Sequence, residues 1–195
     1  MNRRFAVLSL AAAALVLPAL PLRALAPGER APEFALPVAG GSDRVSLARE
    51  RASHPATVVM FISTRCPVSN AYDERMEDLA KRYGPKGVGF IGVNSNVNEP
   101  VPEIAAHARD HGFTFPVVKD DRSRTADAYG AQHTPEIFVV DRDGVVRYHG
   151  RIDENRDDPA AVKSPDLKNA LDSLLAGRAV AVPATKAFGC SIKRG

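Results

Sequence analysis

The stretch TVVMFISTRCPVSN, residues 57–70, decides the fold that we expect for this chain. Its opening run TVVMFIS is β-branched and continuously apolar, which is typical of a strand buried on both faces of a sheet. Cys66 and Pro67 follow, and apolar residues spaced three and four apart between positions 68 and 83 predict an amphipathic helix that ends at Gly84-Pro85. We therefore expect Cys66 to lie between the end of a central strand and the start of a helix.

Strands and helices alternate on both sides of this junction. The predicted elements are short strands near 33–36 and 44–47, a strand at 88–93, a helix at 102–111, a strand at 115–118, a helix at 123–129, a hairpin within 136–152 and a last helix from 164 to 177. This order predicts a mixed central sheet with helices on both faces, a three-layer α/β sandwich. Ligands and catalytic groups in such sheets gather at the carboxyl ends of the strands, where Cys66 is expected.

The N-terminus predicts export from the cytoplasm. Arg3 and Arg4 precede an apolar stretch at 5–22, and small residues follow it, which is the layout of a cleavable signal peptide over residues 1–26. An uncleaved membrane anchor is the alternative, although the two prolines in the stretch make a weak membrane helix. The paired arginines also admit a twin-arginine route, which we rank second.

The rest of the chain has no net charge. Three arginines of the leader account for the formal charge of +3, and the remaining residues carry equal numbers of basic and acidic side chains. A nucleic-acid-binding surface needs clustered basic residues that displace counterions from phosphates, so we exclude this class. The length suits one domain, which we place at residues 27–177 and which a C-terminal tail at 178–195 follows.

Cys66 is the candidate reactive residue. The start of a helix offers free backbone N–H groups and the positive end of the helix dipole, and both favour a thiolate over a thiol. Arg65 adds a neighbouring cation, and Pro67 suits the first turn of a helix because its missing N–H would have no partner there. The alternative is a buried, inert thiol of the core.

Thr134-Pro135 is the second candidate element of the site, because it directly precedes the predicted strand EIFVV. Proline cannot donate a hydrogen bond to a sheet and is unusual at the head of a central strand. A cis peptide bond at this point would present the preceding backbone to a neighbouring sulfur. A trans proline that simply starts a strand is the alternative.

These motifs resemble the thioredoxin-like superfamily, and more closely its redoxin branch, which includes thiol-specific antioxidant and alkyl hydroperoxide reductase proteins and exported thiol:disulfide oxidoreductases. The resemblance implies that Cys66 is the attacking cysteine and that Pro135, after Thr134, is the cis-proline that faces it. The matching segments are GERAPEFAL at 28–36, FISTRCPVS at 61–69, HTPEIFVVDRDGVV at 133–146 and LKNALDSLLAG at 167–177.

The chain departs from the family patterns at two positions. Ser69 stands where thioredoxins have their second cysteine, so the short disulfide of those proteins cannot form. Val59 stands where peroxiredoxins have a proline, although Ser63 fits their hydroxyl position three residues before the cysteine. The resemblance therefore implies a thiol oxidoreductase and leaves both peroxide reduction and thiol–disulfide exchange open.

Cys190 is the only other cysteine, and its surroundings TKAFGCSIKR resemble the tail of a subset of exported redoxin-like proteins. We expect it to lie on a mobile tail and to resolve an oxidised Cys66 into an internal disulfide that a thiol reductant then resets. A permanent disulfide staple and pairing between two chains are the alternatives. The expected partners are this reductant and a protein disulfide or a small peroxide. The oligomeric state is not indicated.

Other candidates are weaker. His107 and His111 lie four apart on a predicted helix, but no carboxylate or cysteine is clearly placed to complete a metal site, and we predict no metal and no cofactor. His133 precedes Thr134 and could protonate a leaving thiolate. A non-catalytic module, either a copper-delivery protein or a stapled binding protein, is the alternative function. Asn70 stands where copper chaperones of this fold have their second cysteine.

Overall fold

The computed structural model describes residues 23–195. The strands are β1 Ala35–Pro37, β2 Arg44–Ser46, β3 Ala56–Ile62, β4 Val88–Asn94, β5 Val117–Lys119, β6 His133–Thr134, β7 Glu136–Asp141, β8 Val146–Gly150 and β9 Cys190–Ser191. The α-helices are α1 Leu47–Ser53, α2 Pro67–Asn70, α3 Asp73–Tyr83, α4 Val101–Asp110, α5 Arg124–Tyr129 and α6 Asp166–Leu175. Short 3-10 turns lie at Gly84–Lys86, Asp121–Ser123 and Pro159–Ala161.

The predicted signal peptide, residues 1–26, lies outside the described residues except for positions 23–26. Cleavage and membrane anchoring of this segment therefore both stay predictions. Among residues 23–195, none of the helices is long and apolar enough to cross a membrane.

The central sheet has five strands in the order β5-β4-β3-β7-β8. Strand β4 pairs in parallel with β3 and β5, whereas β7 pairs antiparallel with β3 and β8. Every residue of β3 and β4 is buried, which explains why their sequences lack the alternation of a half-exposed strand. The predicted mixed sheet and the predicted central position of the strand before Cys66 are confirmed.

Helices cover both faces of this sheet. On one face, Val58 and Met60 of β3 share a buried cluster with residues of α3, α4 and α6. On the other face, Val59 and Phe61 share a buried cluster with residues of α1 and α5. Successive side chains of one strand therefore enter two different cores, as the two-residue period of a strand requires. This arrangement is the predicted three-layer α/β sandwich.

The structure differs from the predicted elements at two places. The sequence does not predict helix α1, because its segment has no apolar stripe. In the structure, Leu47 is the only buried residue of this helix. The single helix predicted at 68–83 is two helices, α2 and α3, which are separated at Ala71 and Tyr72. Tyr72 is buried at the break, and its hydroxyl donates a hydrogen bond to Oδ1 of Asp153 at 3.0 Å. The break leaves α2 as a single turn next to Cys66.

The antiparallel pairing of β3 with β7 brings a second segment to the end of β3. Phe61 lies opposite Glu136 in this register, so the residues just before β7 lie beside those just after β3. The Thr134-Pro135 peptide bond is in this segment and is cis, as the sequence led us to expect. Two segments that are far apart in the chain thus meet at one end of the sheet.

Glu136 holds the second segment in place. Its buried carboxylate accepts hydrogen bonds from the N–H groups of Gln132 and His133 at 2.7 and 2.9 Å, and Nε2 of His149 lies 2.8 Å from it. Burial alone would raise the pKa of Glu136. The hydrogen bonds from His149, Gln132 and His133 outweigh burial, so the pKa of this carboxyl is held below its usual range.

The tail, residues 178–195, runs back to the same end of the sheet. Its first part lies along β8, where the N–H of Thr185 donates to the carbonyl of His149 at 3.0 Å. Its last part forms β9, which pairs antiparallel with β6 and places Cys190 opposite Thr134. The tail that the sequence predicts to be able to fold over Cys66 is folded over it in this structure.

Replacing Glu136 by Gln is expected to lower the free energy of unfolding by about 1–3 kcal/mol at pH 7, because three donors lose a charged acceptor. A carboxyl with a lowered folded pKa contributes stability above its unfolded pKa of about 4.3, and this contribution is lost as the pH falls through the folded pKa. In urea unfolding followed by circular dichroism, the difference between variant and wild type should therefore narrow below about pH 4.3.

Glu33→Gln is the matched control. Glu33 is 47% exposed in its side chain and pairs with Arg51 at 2.8 Å, so its substitution should cost less than about 1 kcal/mol at either pH. Equal losses in the two variants would contradict the role assigned to Glu136.

Candidate active site

Cys66 follows β3 by a short loop and caps α2. Its Sγ accepts a hydrogen bond from the N–H of Ser69 at 3.3 Å and, as a thiol, donates one to the carbonyl oxygen of Thr134 at 3.2 Å. The residue is 2% exposed. Its sulfur therefore lies between the first turn of α2 and the segment before the cis-proline.

The pKa of Cys66 is set by a balance between burial and hydrogen bonding. Burial is the largest effect, and it raises the pKa because the thiolate is poorly solvated. The neighbouring Cys190 thiol, the Thr134 hydroxyl and the N–H groups of Ser69 and Cys190 favour the thiolate and together outweigh burial. The pKa of Cys66 is therefore lowered. Burial and the adjacent Cys66 sulfur raise the pKa of Cys190.

Of the effects that the sequence predicts to lower the pKa of Cys66, the backbone N–H at the start of the helix, that of Ser69, is confirmed, whereas the Arg65 charge and the helix dipole are not. Arg65 pairs with Glu103 at distances of 2.5 and 2.8 Å and lowers the pKa of that carboxyl to about 2, so its charge is engaged away from the sulfur. The helix that Cys66 caps has only four residues, and a single turn has little macrodipole. Individual hydrogen bonds to the sulfur thus replace both expected effects.

The two serines near Cys66 organise its loop. Ser69, which stands where thioredoxins have a second cysteine, is fully buried, and its Oγ accepts a hydrogen bond from the N–H of Ser63 at 3.2 Å. Ser63 Oγ accepts from the N–H groups of Cys66 and Arg65 at 3.1 and 3.2 Å. The hydroxyl three residues before the cysteine is therefore bonded to the backbone of the loop.

Glu99 anchors this loop from the other side. Its carboxylate is buried and accepts hydrogen bonds from Ser63 Oγ at 2.5 Å, from the N–H and Oγ1 of Thr64 at 2.8 and 2.9 Å, and from Asn94 Nδ2 at 2.5 Å. These donors come from the ends of β3 and β4, which are parallel neighbours. The carboxylate thus fixes the path of the chain into Cys66.

The loop NSNVNEP at 94–100 also holds the tail. Oδ1 of Asn96 accepts a hydrogen bond from the N–H of Lys193 at 2.8 Å, and the N–H of Val97 donates to the carbonyl of Lys193 at 2.9 Å. The sequence left open whether this loop rims the site or only turns the chain. Its contacts with Lys193 show that it borders the docked tail.

Gly189 allows the tail to approach the cis-proline segment. Its φ of +149° is rarely adopted by other residues, and a Cβ at this position would overlap the carbonyl oxygen of Thr134. The next residue, Cys190, lies beside Cys66, and both cysteines are free thiols. The ring of Phe188 packs edge-on against Tyr72 with the centroids 6.3 Å apart. The tail thereby covers Cys66.

The structure brings four of the predicted site residues together, namely Cys66, Thr134, Pro135 and Cys190. The ring of His133 instead lies 3.8 Å from a carboxylate oxygen of Glu136, with 39% of the side chain exposed. A role of His133 in protonating a thiolate stays a prediction.

His107 lies on α4, as predicted, and His111 directly follows the last residue of this helix, but the expectation that no carboxylate is clearly placed beside them is wrong. Oδ2 of Asp73, at the start of α3, lies 3.0 Å from Nε2 of His107 and 3.4 Å from Nδ1 of His111. The sequence gives little sign of this contact, because 34 residues separate Asp73 from the nearer histidine. Glu99 and Glu136 were also missed. The only feature of the sequence that distinguishes these two glutamates is that each lies next to a proline.

The chain matches a family model described as Redoxin over residues 26–171. This range includes the whole central sheet, Cys66 and the cis-proline segment. It ends before the tail that carries Cys190.

Similar proteins carry names from the same area of chemistry. The chain is 30% identical over 125 residues to the thiol-disulfide oxidoreductase ResA of Geobacillus thermodenitrificans, covering 64% of this chain and 68% of the relative. It is 32% identical over 135 residues to a Mycobacterium tuberculosis protein with the provisional name peroxiredoxin, covering 67% and 80% of the two chains. A crystal structure of a hypothetical protein from Sinorhizobium meliloti 1021 superposes with a TM-score of 0.81 at 34% identity, covering 89% and 97%.

The family model covers most of the chain, and the named relatives include thiol-disulfide oxidoreductases. The observed sheet order and the cis-proline beside the cysteine agree with this assignment. The chain therefore belongs to the Redoxin family and has a thioredoxin-like fold.

Proposed function

We propose that this protein is a thiol oxidoreductase in which Cys66 attacks as a thiolate and Cys190 resolves the intermediate. The observation that carries the proposal is the pair of adjacent free thiols whose pKa values are shifted in opposite directions, Cys66 downward and Cys190 upward. At a pH between these values, one sulfur is a nucleophile while the other keeps its proton and stabilises the first as a hydrogen-bond donor.

In the first step, the Cys66 thiolate attacks one sulfur of a substrate disulfide. A bond forms between Cys66 Sγ and that sulfur, the substrate S–S bond breaks, and the second substrate sulfur leaves as a thiolate that takes up a proton. The products are a mixed disulfide on Cys66 and one reduced substrate thiol.

In the second step, Cys190 loses its proton and attacks Sγ of Cys66. The Cys66–Cys190 bond forms and the mixed disulfide breaks, so the first substrate sulfur, which Cys66 had attacked, leaves as a thiolate that takes up a proton. The substrate has then gained two electrons and two protons, and the protein holds an internal disulfide. An external dithiol reductant returns both cysteines to thiols by the same exchange in reverse.

Disulfide exchange is favoured over peroxide reduction by the surroundings of the sulfur. The Ser63 hydroxyl, which fits the peroxiredoxin hydroxyl position three residues before the cysteine, already donates to Glu99 and accepts from two backbone N–H groups. The carbonyl of Thr134 and the edge of β6 lie beside the sulfur, and an extended peptide can pair with such an edge.

Peroxide reduction is the second candidate, because the mycobacterial relative carries the name peroxiredoxin. In that reaction the Cys66 thiolate attacks a peroxide oxygen, the O–O bond breaks with release of an alcohol or water, and Cys66 becomes a sulfenic acid. Cys190 then displaces water from the sulfenic acid and forms the same internal disulfide.

The burial of Cys66 requires that the tail moves during turnover. Cys66 is covered by Cys190 and by the ring of Phe188, which pack against the same cluster. The tail is held by hydrogen bonds to loop and edge-strand backbone, by the buried side chains of Ala187 and Ile192, and by an ion pair of Arg194 with Asp127, so its opening has to break these contacts. Opening admits the substrate, and closure brings Cys190 back to Cys66.

We place this activity outside the cytoplasm. The support for this location is the leader sequence, in which Arg3 and Arg4 precede an apolar stretch. An oxidising compartment supplies disulfide substrates, and it makes a dedicated thiol reductant necessary for resetting the site. The sequence was not able to separate a catalytic cysteine pair from a permanent staple, and the free adjacent thiols favour the catalytic pair.

The proposal predicts that Cys190→Ser stops the reaction halfway. With an excess of an oxidised peptide disulfide, the wild type should give the internal Cys66–Cys190 disulfide, whereas Cys190→Ser should accumulate a mixed disulfide on Cys66 and Cys66→Ser should not react. Intact mass spectrometry after acid quench, with a thiol trap, distinguishes these species. A reactive Cys66→Ser variant would show that Cys66 does not attack.

The pH dependence of Cys66 alkylation provides a second prediction. Because the Cys190 thiol donates to the sulfur, Cys190→Ala should move the midpoint of the Cys66 alkylation rate to higher pH than in wild type, and Cys190→Ser, which keeps a donor hydroxyl, should move it less. Iodoacetamide labelling followed by peptide mass mapping between pH 5 and 10 measures both midpoints. Identical midpoints in all three proteins would show that Cys190 does not influence Cys66.

Gly189→Ala is expected to separate attack from resolution. The added Cβ overlaps the carbonyl of Thr134, so the tail must move away, and Cys190 loses its position beside Cys66. Internal disulfide formation after oxidation should slow by about tenfold or more, because it depends on proximity, while alkylation of Cys66 becomes faster. Rapid mixing and acid quench, followed by intact mass spectrometry, measures both rates.

Gly84→Ala is the matched control, because a Cβ at Gly84 has open space around it. Its two rates should equal those of the wild type. Slower disulfide formation in Gly84→Ala as well would assign the effect to general destabilisation and not to the position of the tail.

A further inference from the structure

A cluster of metal-ligating side chains lies between α3 and α4, outside the cysteine site. One oxygen of Asp73 and one ring nitrogen each of His107 and His111 all lie within 4.8 Å of one another. His107 in the last turn of α4 and His111, which caps the end of that helix, are four residues apart, and their ring centroids are 4.2 Å apart. The fold therefore gathers two imidazoles and one carboxylate from two helices.

The spacing of these atoms suits a single small metal ion. Ligands at about 2.0–2.1 Å from a tetrahedral ion lie about 3.3 Å from each other. Oδ2 of Asp73 lies 3.0 Å from Nε2 of His107 and 3.4 Å from Nδ1 of His111. The Asp73 oxygen is thus already at a suitable distance from both imidazole nitrogens, and the three ligand atoms lie within 4.8 Å of one another.

The Asp73 carboxylate points to a ligand that the protein itself does not provide. The residue is 3% exposed, and its Oδ2 accepts no hydrogen bond from the described residues, although both imidazole nitrogens are near. The two imidazole nitrogens are therefore close to the Asp73 oxygen, but their N–H directions do not point at it. A buried carboxylate oxygen without a hydrogen-bond partner is costly, and an ion between the three groups would remove this cost.

The surroundings leave room for one further ligand. The side chain of His107 is 14% exposed, whereas that of His111 is 44% exposed, so the cluster opens to solvent on the His111 side. The ring of Phe113 lies 6.0 and 6.2 Å from the two imidazole rings and covers their other side. A water molecule can complete a tetrahedral set from the open side.

We propose that Asp73, His107 and His111 form a binding site for a divalent transition-metal ion. Imidazole nitrogens suit Zn²⁺, Cu²⁺, Ni²⁺ and Fe²⁺, and one carboxylate adds the negative charge that stabilises such an ion. The site ties the start of α3 to the end of α4. The loop before Cys66 donates hydrogen bonds to Glu103, which lies one helical turn before His107 on α4. A bound ion that fixes this helix would therefore also stabilise the loop before Cys66.

The test uses Zn²⁺ as the probe and the full chain with Cys66→Ser and Cys190→Ser, so that thiols contribute no ligands. We expect one equivalent of Zn²⁺ to bind in competition with a chromophoric chelator. His111→Ala should weaken binding at least about tenfold, and its exposed position keeps the fold intact. Asp73→Asn and His107→Ala should weaken binding at least as much. Co²⁺ should give the visible absorption of a tetrahedral site in the parent protein and lose it in His111→Ala.

His54→Ala is the matched control. His54 also lies one helical turn from a carboxylate, with Nδ1 3.5 Å from Glu50, but it has no third ligand in the described part of the chain. Its removal should leave Zn²⁺ affinity unchanged. Binding that survives in His111→Ala, or no binding in the parent protein, would overturn the proposal and leave a histidine–aspartate ion pair as the explanation of the cluster.

Discussion

The antiparallel pairing of β3 with β7 is the constraint on which the site depends. Cys66 follows β3 in the chain, and Thr134-Pro135 precedes β7. Cys66 and Thr134 are 68 residues apart in sequence but are in contact. Only strands that run in opposite directions place the end of one beside the start of the other. If these two strands were parallel, Thr134 would lie at the opposite end of the strands from Cys66. The burial of β3 on both faces keeps this register fixed.

The cysteine site combines a buried sulfur with enough hydrogen bonds to stabilise its charge. Burial alone would make Cys66 an ordinary inert thiol, because the thiolate loses its water. The N–H of Ser69 and the neighbouring Cys190 thiol and Thr134 hydroxyl offset this loss. Two of these three groups reach the sulfur only because the tail and the cis-proline segment meet there. The acidity of Cys66 is therefore a property of the assembled fold and not of the local sequence around it.

Much of this arrangement could be predicted from local patterns. The continuously apolar strand, the cysteine after it and the proline before the hairpin each carry a signal within a few residues, and the sheet and its layers followed from them. The cis peptide bond was one of two alternatives from the residues, and the family resemblance implied it. Contacts between distant residues could not be predicted. Arg65 was expected beside the sulfur, but its partner Glu103 lies 38 residues away on α4. A buried carboxylate such as Glu99 looks in the sequence like any exposed glutamate.

In the proposed mechanism, the docked tail has a consequence for substrate selection. By pairing with β6 at Thr134, the tail occupies the edge that an extended substrate would use, and it does so at the high effective concentration of a tethered ligand. A substrate must compete with this internal strand and not merely with water. The proposed mechanism therefore predicts that weak, nonspecific peptides are excluded and that a partner gains access only if its own contacts near Cys66 exceed those that Gly189 and Cys190 already make.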